Sequence, residues 1–344
     1  MEKSCGCGNS ASADCSPADV RPTNDEPSLP QSPPQPEVSL LIVPAAGAEG
    51  LHQTLENALA QRTASTQVLL VIPADCSSSW QPRDGVVPTQ LQVVHCPQAG
   101  RAAALNLGLE HCTGDAVAFL DERCVPDEDF ASRLYAQLLI EDAELCHGEY
   151  AVSAACGADK DAPGPWDAAC TDTAAIARSD GSPLACLGVL WSTLWKRSFI
   201  EEQQLRFDET FAGSCDLMFQ MQALLSCRRW ALCEEQVARA ADLAQPELSE
   251  AERGHRLAAC RTVAQLLCSA AGDIPERSLV RALAYLALEA DVRLHSHEDA
   301  EALAEMCPTQ LKAALMAEQA ELRIAQLDLH APLYRALEPR NVYT

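Results

Sequence analysis

The sequence predicts an α/β domain: an open, mainly parallel sheet with helices on both faces, followed by a region of helices alone. Three observations predict it. Compact apolar runs of the kind found in buried strands recur between Val38 and Asp121. Amphipathic stretches separate them, in the order strand, helix, strand, strand, helix, strand. From about residue 245 the runs stop and capped amphipathic segments follow one another.

Residues 1–37 hold seven prolines among Ser, Asp, Asn and Gln, ending in PQSPPQPE. Such a composition buries too little apolar surface to order itself, so a disordered tail is expected there. SLLIVPA (39–45) reads as the first strand. EGLHQTLENALAQ (49–61) places Leu51, Leu55, Ala58 and Leu59 on one helical face. QVLLVIP (67–73) and LQVVHC (91–96) are the second and third strands. GRAAALNLGLEHC (100–112) is a helix, and DAVAFLD (115–121) is the fourth strand. Residues 145–200 are less regular. FAGSCDLMFQMQALLSC (211–227) reads as a loop entering a helix, and WALCEEQVARA (230–240) as a last strand. Ser249 with Glu252 fits a capping box, Pro275 sits early in a helix, and Ser296 with Asp299 opens another. The expected division is 1–37 tail, 38–244 sheet domain and 245–344 helical region.

Charge narrows the partners. The 344 residues carry 25 Lys plus Arg against 49 Asp plus Glu, a net charge of −24. Such a chain repels nucleic acid and anionic membrane surfaces, although a local basic pocket for a phosphate is compatible with it. No run of 18 apolar residues occurs, so no integral membrane segment is expected. The N-terminus MEKSCGCGNS lacks the apolar core of a secretory signal, which makes the cytoplasm the expected location. The 17 cysteines are odd in number and mostly scattered, as befits free thiols rather than a disulfide framework. Cys5 and Cys7, with Cys15 after them, lack the second spaced pair that a zinc site needs. His295 and His297 read as loop polar residues.

The chemistry gathers at AFLDERCVP (118–126). An apolar strand ends abruptly at Asp121, Glu122 and Arg123. In an open α/β sheet, ligands bind beyond the carboxyl ends of the strands, so Asp121 is a candidate for a metal or a diphosphate. The competing reading is a strand-end carboxylate paired with Arg123 or Arg101.

Several blocks in order then resemble family 2 glycosyltransferases of the GT-A fold: SLLIVPA with its helix, AGRAAALNLGLEHCTGDAVAFLD, and LRFDETFAGSCDLMFQMQAL. The resemblance covers roughly 38–240. It implies a glycosyltransferase of hexosyltransferase type, moving a sugar from a nucleoside-diphosphate sugar to a hydroxyl on a glycan, lipid or protein acceptor, with inversion. It implies Asp216 as the base that takes the acceptor proton, with a helix N-cap as the alternative. It assigns Asp75, Arg101, Asp121 and Arg123 to the nucleotide-sugar, and Asp121 to a divalent cation. Against these stand bland readings of Arg101 and Arg123 as surface arginines and of Asp75 as a turn residue.

Several positions depart from the family pattern. Arg123 stands where the second carboxylate of Asp-x-Asp is expected. Ile72 or Pro73 stands where an Asp usually ends the second strand, with Asp75 a little later. Cys215 replaces Glu before Asp216, and Ala238, Arg239 and Ala240 stand where a histidine often follows the last strand. The apolar frame is kept while these polar positions change. Mn²⁺ or Mg²⁺ is therefore expected to bind weakly or not at all, because of Arg123. The alternative function is a catalytically degenerate GT-A-like protein acting as a binding or regulatory subunit. Cys76, Cys124 and Cys215 fall near the cleft, and Cys215 would matter only if a helix N-terminus depressed its pKa.

Overall fold

A computed structural model describes residues 36–44, 50–62, 64–76, 88, 90–121, 124–153, 182–187, 190–241, 249–290, 294 and 296–320. The described residues form one compact unit. Its centre is an eight-stranded sheet: β1 (Val38–Ile42), β2 (Thr66–Ile72), β3 (Leu91–His95), β4 (Ala116–Leu120), β5 (Cys124–Pro126), β6 (Leu145–Ser153), β7 (Thr193–Lys196) and β8 (Trp230–Ala241). The spatial order is β3-β2-β1-β4-β7-β6-β8-β5. The β1–β2, β2–β3, β1–β4 and β6–β8 pairs are parallel, and β7 runs antiparallel to both β4 and β6.

Sequence alternation sorts the strands onto two cores. Successive side chains on a strand point to opposite faces. On one face Leu41, Val43, Leu69, Val71, Val117 and Phe119 pack with helix α2 (Arg101–His111) and helix α5 (Cys215–Ser226). On the other, Leu40, Ile42, Leu70, Ala118 and Leu120 pack with α1 (Leu51–Leu59) and α3 (Phe130–Ile140). Both faces are covered, which is why these strands read as unbroken apolar runs. A short helix, α4 (Arg197–Glu202), follows β7.

The helices that follow extend the first core. They are α6 (Glu250–Ser269), α7 (Glu276–Leu288), α8 (His297–Glu305) and a helical stretch over 312–320. Cys260, Val263, Leu267, Leu283, Leu286 and Leu303 are buried in the same cluster as Phe119. The capping box at Ser249 and Glu252 forms as the sequence predicts. Pro275 stands at the N-cap of α7, just outside the helix. No described helix is long and apolar enough to cross a membrane.

Two devices fix the sheet around β1 and β4. Gly114 lies against β1: a Cβ there would sit 2.6 Å from Ser39 N and 2.8 Å from Val38 C, both backbone atoms. On the α5 side, Phe119, Phe207 and Phe219 form one aromatic cluster. Phe207 and Phe219 stack at 4.2 Å between centroids, and Phe119 meets them edge-on at 5.1 and 5.3 Å. Such pairs add about 1 kcal/mol each beyond area burial. The cluster ties α5 to β4 and thereby sets the distance between Asp216 and the end of β4.

Candidate active site

The carboxyl ends of β1, β2 and β4 converge where α2 begins. Gly100 precedes α2 with φ +96°, a conformation that side chains disfavour. Its N–H donates to Asp75 Oδ1 at 2.9 Å. The next residue, Arg101, points inward. Its Nη1 donates to the Val43 carbonyl at 2.6 Å, beyond the end of β1. Its Nη2 lies 3.7 Å from Asp121 Oδ2, and its Nε lies 3.4 Å from Asp216 Oδ1. The Asp121 side chain is 4 % exposed, that of Arg101 16 % and that of Asp216 23 %.

The structure therefore brings Asp75, Arg101, Asp121 and Asp216 into one neighbourhood. Arg101 is no surface arginine. Asp216 is not the N-cap of α5. Ser214 holds that position, and Asp216 lies in the first turn with its carboxylate toward Arg101. Asp75 is exposed and anchors the turn before Arg101. Glu122 and Arg123 lie outside the described residues, as do His295 and the tail cysteines. His297 lies on the surface of α8, 3.3 Å from Glu301.

Cys215 is a buried thiol. Burial, and then the neighbouring Asp216 carboxylate, push its pKa well above the usual range, so the helix N-terminus does not activate it. Its Sγ lies 3.5 Å from Asp216 Oδ1 and adds a weak contact to the atom that Arg101 holds.

Sequence reasoning missed the supports. A polar strip on α1 and just past its end ties down the chain that leaves β4. Thr54 Oγ1 donates to the Cys124 carbonyl at 2.7 Å, with the Asp121 carbonyl at 3.3 Å. Asn57 Nδ2 donates to the Pro126 carbonyl at 2.9 Å, and Gln61 Nε2 to the Asp127 carbonyl at 2.7 Å. The strip runs i, i+3, i+7, and its signal was polar residues on a helix face that otherwise reads as core. Asn106 is the second support. Its amide donates to the Phe207 carbonyl and accepts from the Phe207 N–H, each at 2.9 Å. That clamp joins α2, which carries Arg101, to the segment leading into Asp216.

A divalent cation of the Mg²⁺ type uses one or two carboxylates in near-octahedral geometry, with waters and substrate phosphates filling the remaining positions. The described residues offer it Asp121, and a guanidinium already stands 3.7 Å from that carboxylate. No group of three His, Cys, Asp or Glu side chains suited to a metal occurs among the described residues. Among the described residues this donor set is smaller than a cation site built by the protein alone requires.

A nearly buried strand-end carboxylate, an arginine and a second carboxylate on a packed helix thus meet beyond the carboxyl ends of parallel strands, where open α/β sheets bind ligands. Residues 41–162 match the family model of glycosyl transferase family 2. Solved structures agree on the fold. S. aureus TarS 1–349 in complex with UDP superposes with TM-score 0.54 at 14 % identity, over 88 % of this chain and 93 % of that one. The same protein in complex with UDP-GlcNAc gives 0.50 at 12 % identity, over 87 % and 92 %. Mannosyltransferase PcManGT from Pyrobaculum calidifontis, in complex with GDP-Man and Mn²⁺, gives 0.51 at 19 % identity, over 86 % and 87 %. Among curated proteins none matches by sequence. The resemblance to family 2 glycosyltransferases thus holds, and the fold is GT-A with a helical C-terminal region.

Proposed function

We propose that this chain transfers a sugar from a nucleoside-diphosphate sugar to an acceptor hydroxyl, with inversion, in the cytoplasm. The observation that carries the reading is Arg101 held between Asp121 and Asp216 at the strand ends. Transfer needs two things at once: a cation for the diphosphate leaving group and an acceptor for the hydroxyl proton. Arg101 supplies the first and Asp216 the second. As the hydroxyl oxygen attacks the anomeric carbon from the face opposite the diphosphate, its proton passes to Asp216. The bond to the diphosphate breaks, and the electron pair leaves with the nucleotide.

A divalent cation, where present, would add charge neutralisation at the diphosphate, with Asp121 as its protein ligand. The donor set supports a lesser role for it here. Arg123, which the sequence has in place of the second metal carboxylate, is assigned to the phosphates on chemistry alone: pointed inward, its planar fork would suit them. Asp75, beside the Gly100 turn, is assigned to the nucleoside.

The glycosyltransferase neighbours hold UDP, UDP-GlcNAc and GDP-Man, which points the search to those donor classes. A thermal-shift panel of UDP-, GDP- and dTDP-sugars tests binding: the right donor at a hundred times its Kd stabilises the folded chain by about 2.7 kcal/mol. Release of nucleoside diphosphate then tests turnover. Asp216→Asn is expected to cut it by roughly 10²- to 10⁴-fold, the usual worth of a general base.

One observation favours a second reading. The same Arg101 that could serve the diphosphate is already engaged with two carboxylates, and Cys215 is an inert thiol where an acidic partner is expected. A binding or regulatory subunit of the same fold would bind the nucleotide-sugar and release no product.

A further inference from the structure

The contacts of Arg101 are unequal. Its bond to the Val43 carbonyl is tight at 2.6 Å. Its approaches to Asp216 and Asp121, at 3.4 and 3.7 Å, are ion pairs longer than the roughly 2.7–2.9 Å of a good charge-assisted hydrogen bond. The backbone thus fixes the guanidinium in place, while two carboxylates share it and neither holds it well. The elements around it are tied to one another. Asn106 clamps α2 to Phe207, and the aromatic cluster fixes α5 on β4. For either carboxylate to close on the arginine, its element would have to shift against these contacts. A diphosphate can: it carries more charge than a carboxylate and offers paired oxygens that match the planar fork.

We propose, resting on the nucleotide-sugar reading above, that Arg101 is a latch on Asp216. Without donor, Arg101 engages Asp216 Oδ1. When the diphosphate arrives, it takes the guanidinium, and Oδ1 is released toward the acceptor hydroxyl. The proton, bond and electron-pair movements are those of the transfer step above; the latch adds their order. Donor binds first, and Asp216 becomes available only when there is a leaving group to expel. The role is read from competition: Asp216 and the diphosphate contend for one arginine.

That competition can be measured without turnover. UDP and GDP are titrated calorimetrically into wild type, Asp216→Asn, Arg101→Gln and the double variant, each checked for folding by its melting curve. The latch predicts that Asp216→Asn tightens diphosphate binding about three- to tenfold while Arg101 is present, the order of a partly buried ion pair. In the Arg101→Gln background the same change gives less than about twofold. Arg101→Lys, which keeps the charge but not the fork, should give intermediate coupling, and it replaces the Gln variant should that one not fold. Equal tightening in both backgrounds would mean plain repulsion between Asp216 and phosphate, and would overturn the latch. So would binding that Asp216→Asn leaves unchanged or weakens. If neither nucleotide binds wild type, the latch and the nucleotide-sugar reading fall together, a result distinct from binding without coupling.

Discussion

At the strand ends Arg101 lies between Asp121 and Asp216. In the helical region Arg256, Arg261 and Arg281 are paired instead with Glu289, Asp299 and Glu318. The chemistry is the same and the arrangement differs. Arg256 Nε meets Glu289 Oε1 at 2.9 Å, with Glu289 only 1 % exposed, and Arg281 Nη1 meets Glu318 Oε1 at 2.5 Å. These pairs join α6 to the end of α7, α6 to α8, and α7 to the stretch 312–320. All three are close and matched in charge, and the Arg256 and Arg281 pairs are also largely desolvated, where such matching is required. At the strand ends the three ionised groups sum to one negative charge, and the contacts are longer. The difference teaches where the chain keeps an interaction closed and where it leaves one open to a ligand.

Breaking a closed pair should cost the most. Glu289→Gln leaves Arg256 buried without its carboxylate, and about 3–5 kcal/mol of stability is expected to go in urea titrations. Replacing both partners with apolar residues, Arg256→Met with Glu289→Leu, should recover most of that, because the desolvation of two charges disappears with them.

The sheet half has a pH-sensitive group of its own. His147 on β6 is buried, with Nδ1 2.9 Å from Thr193 Oγ1, and burial lowers its pKa from 6.5 to about 4. The folded state therefore favours the neutral ring. The stability this contributes is complete above about pH 6.5 and is lost as the pH falls toward 4, by up to roughly 3 kcal/mol in total. Denaturation midpoints across that window should fall in wild type and show a shallower slope in His147→Gln. Next in size, Gly114→Ala drives a Cβ into the β1 backbone, and about 2 kcal/mol of destabilisation is expected by the same titration.

Opening the site should cost almost nothing. Asp216→Asn removes one of two carboxylates from a shared, partly exposed arginine, so stability should stay within about 0.5 kcal/mol of wild type. A loss of several kcal/mol would make Asp216 a structural partner like Glu289, and the contrast between the two regions would collapse.

What the sequence made legible follows from burial. The strands β1, β2 and β4 are covered on both faces and read as plain apolar runs. β6 was not legible: LCHGEYAVS mixes His, Gly and Glu, and its pairing with β8 shifts register at Gly148 and Glu149. β7 is only four residues long, and its place between β4 and β6 depends on contacts far apart in sequence. At the site, Asp121 and Asp216 stood out as carboxylates where an α/β fold puts ligands. That one arginine would reach both could not be read, since Asp216 lies 115 residues from Arg101 and only the packing of α5 on β4 brings them together.

The most direct test of the central claim, that arginine rather than a cation answers the diphosphate, is calorimetric binding of UDP and GDP in EDTA and in Mn²⁺, to wild type and to Arg123→Asp. Wild type should bind one of the two with the same affinity in both buffers, and Arg123→Asp should gain a metal-dependent component. Tight binding by wild type only when Mn²⁺ is present would contradict the account.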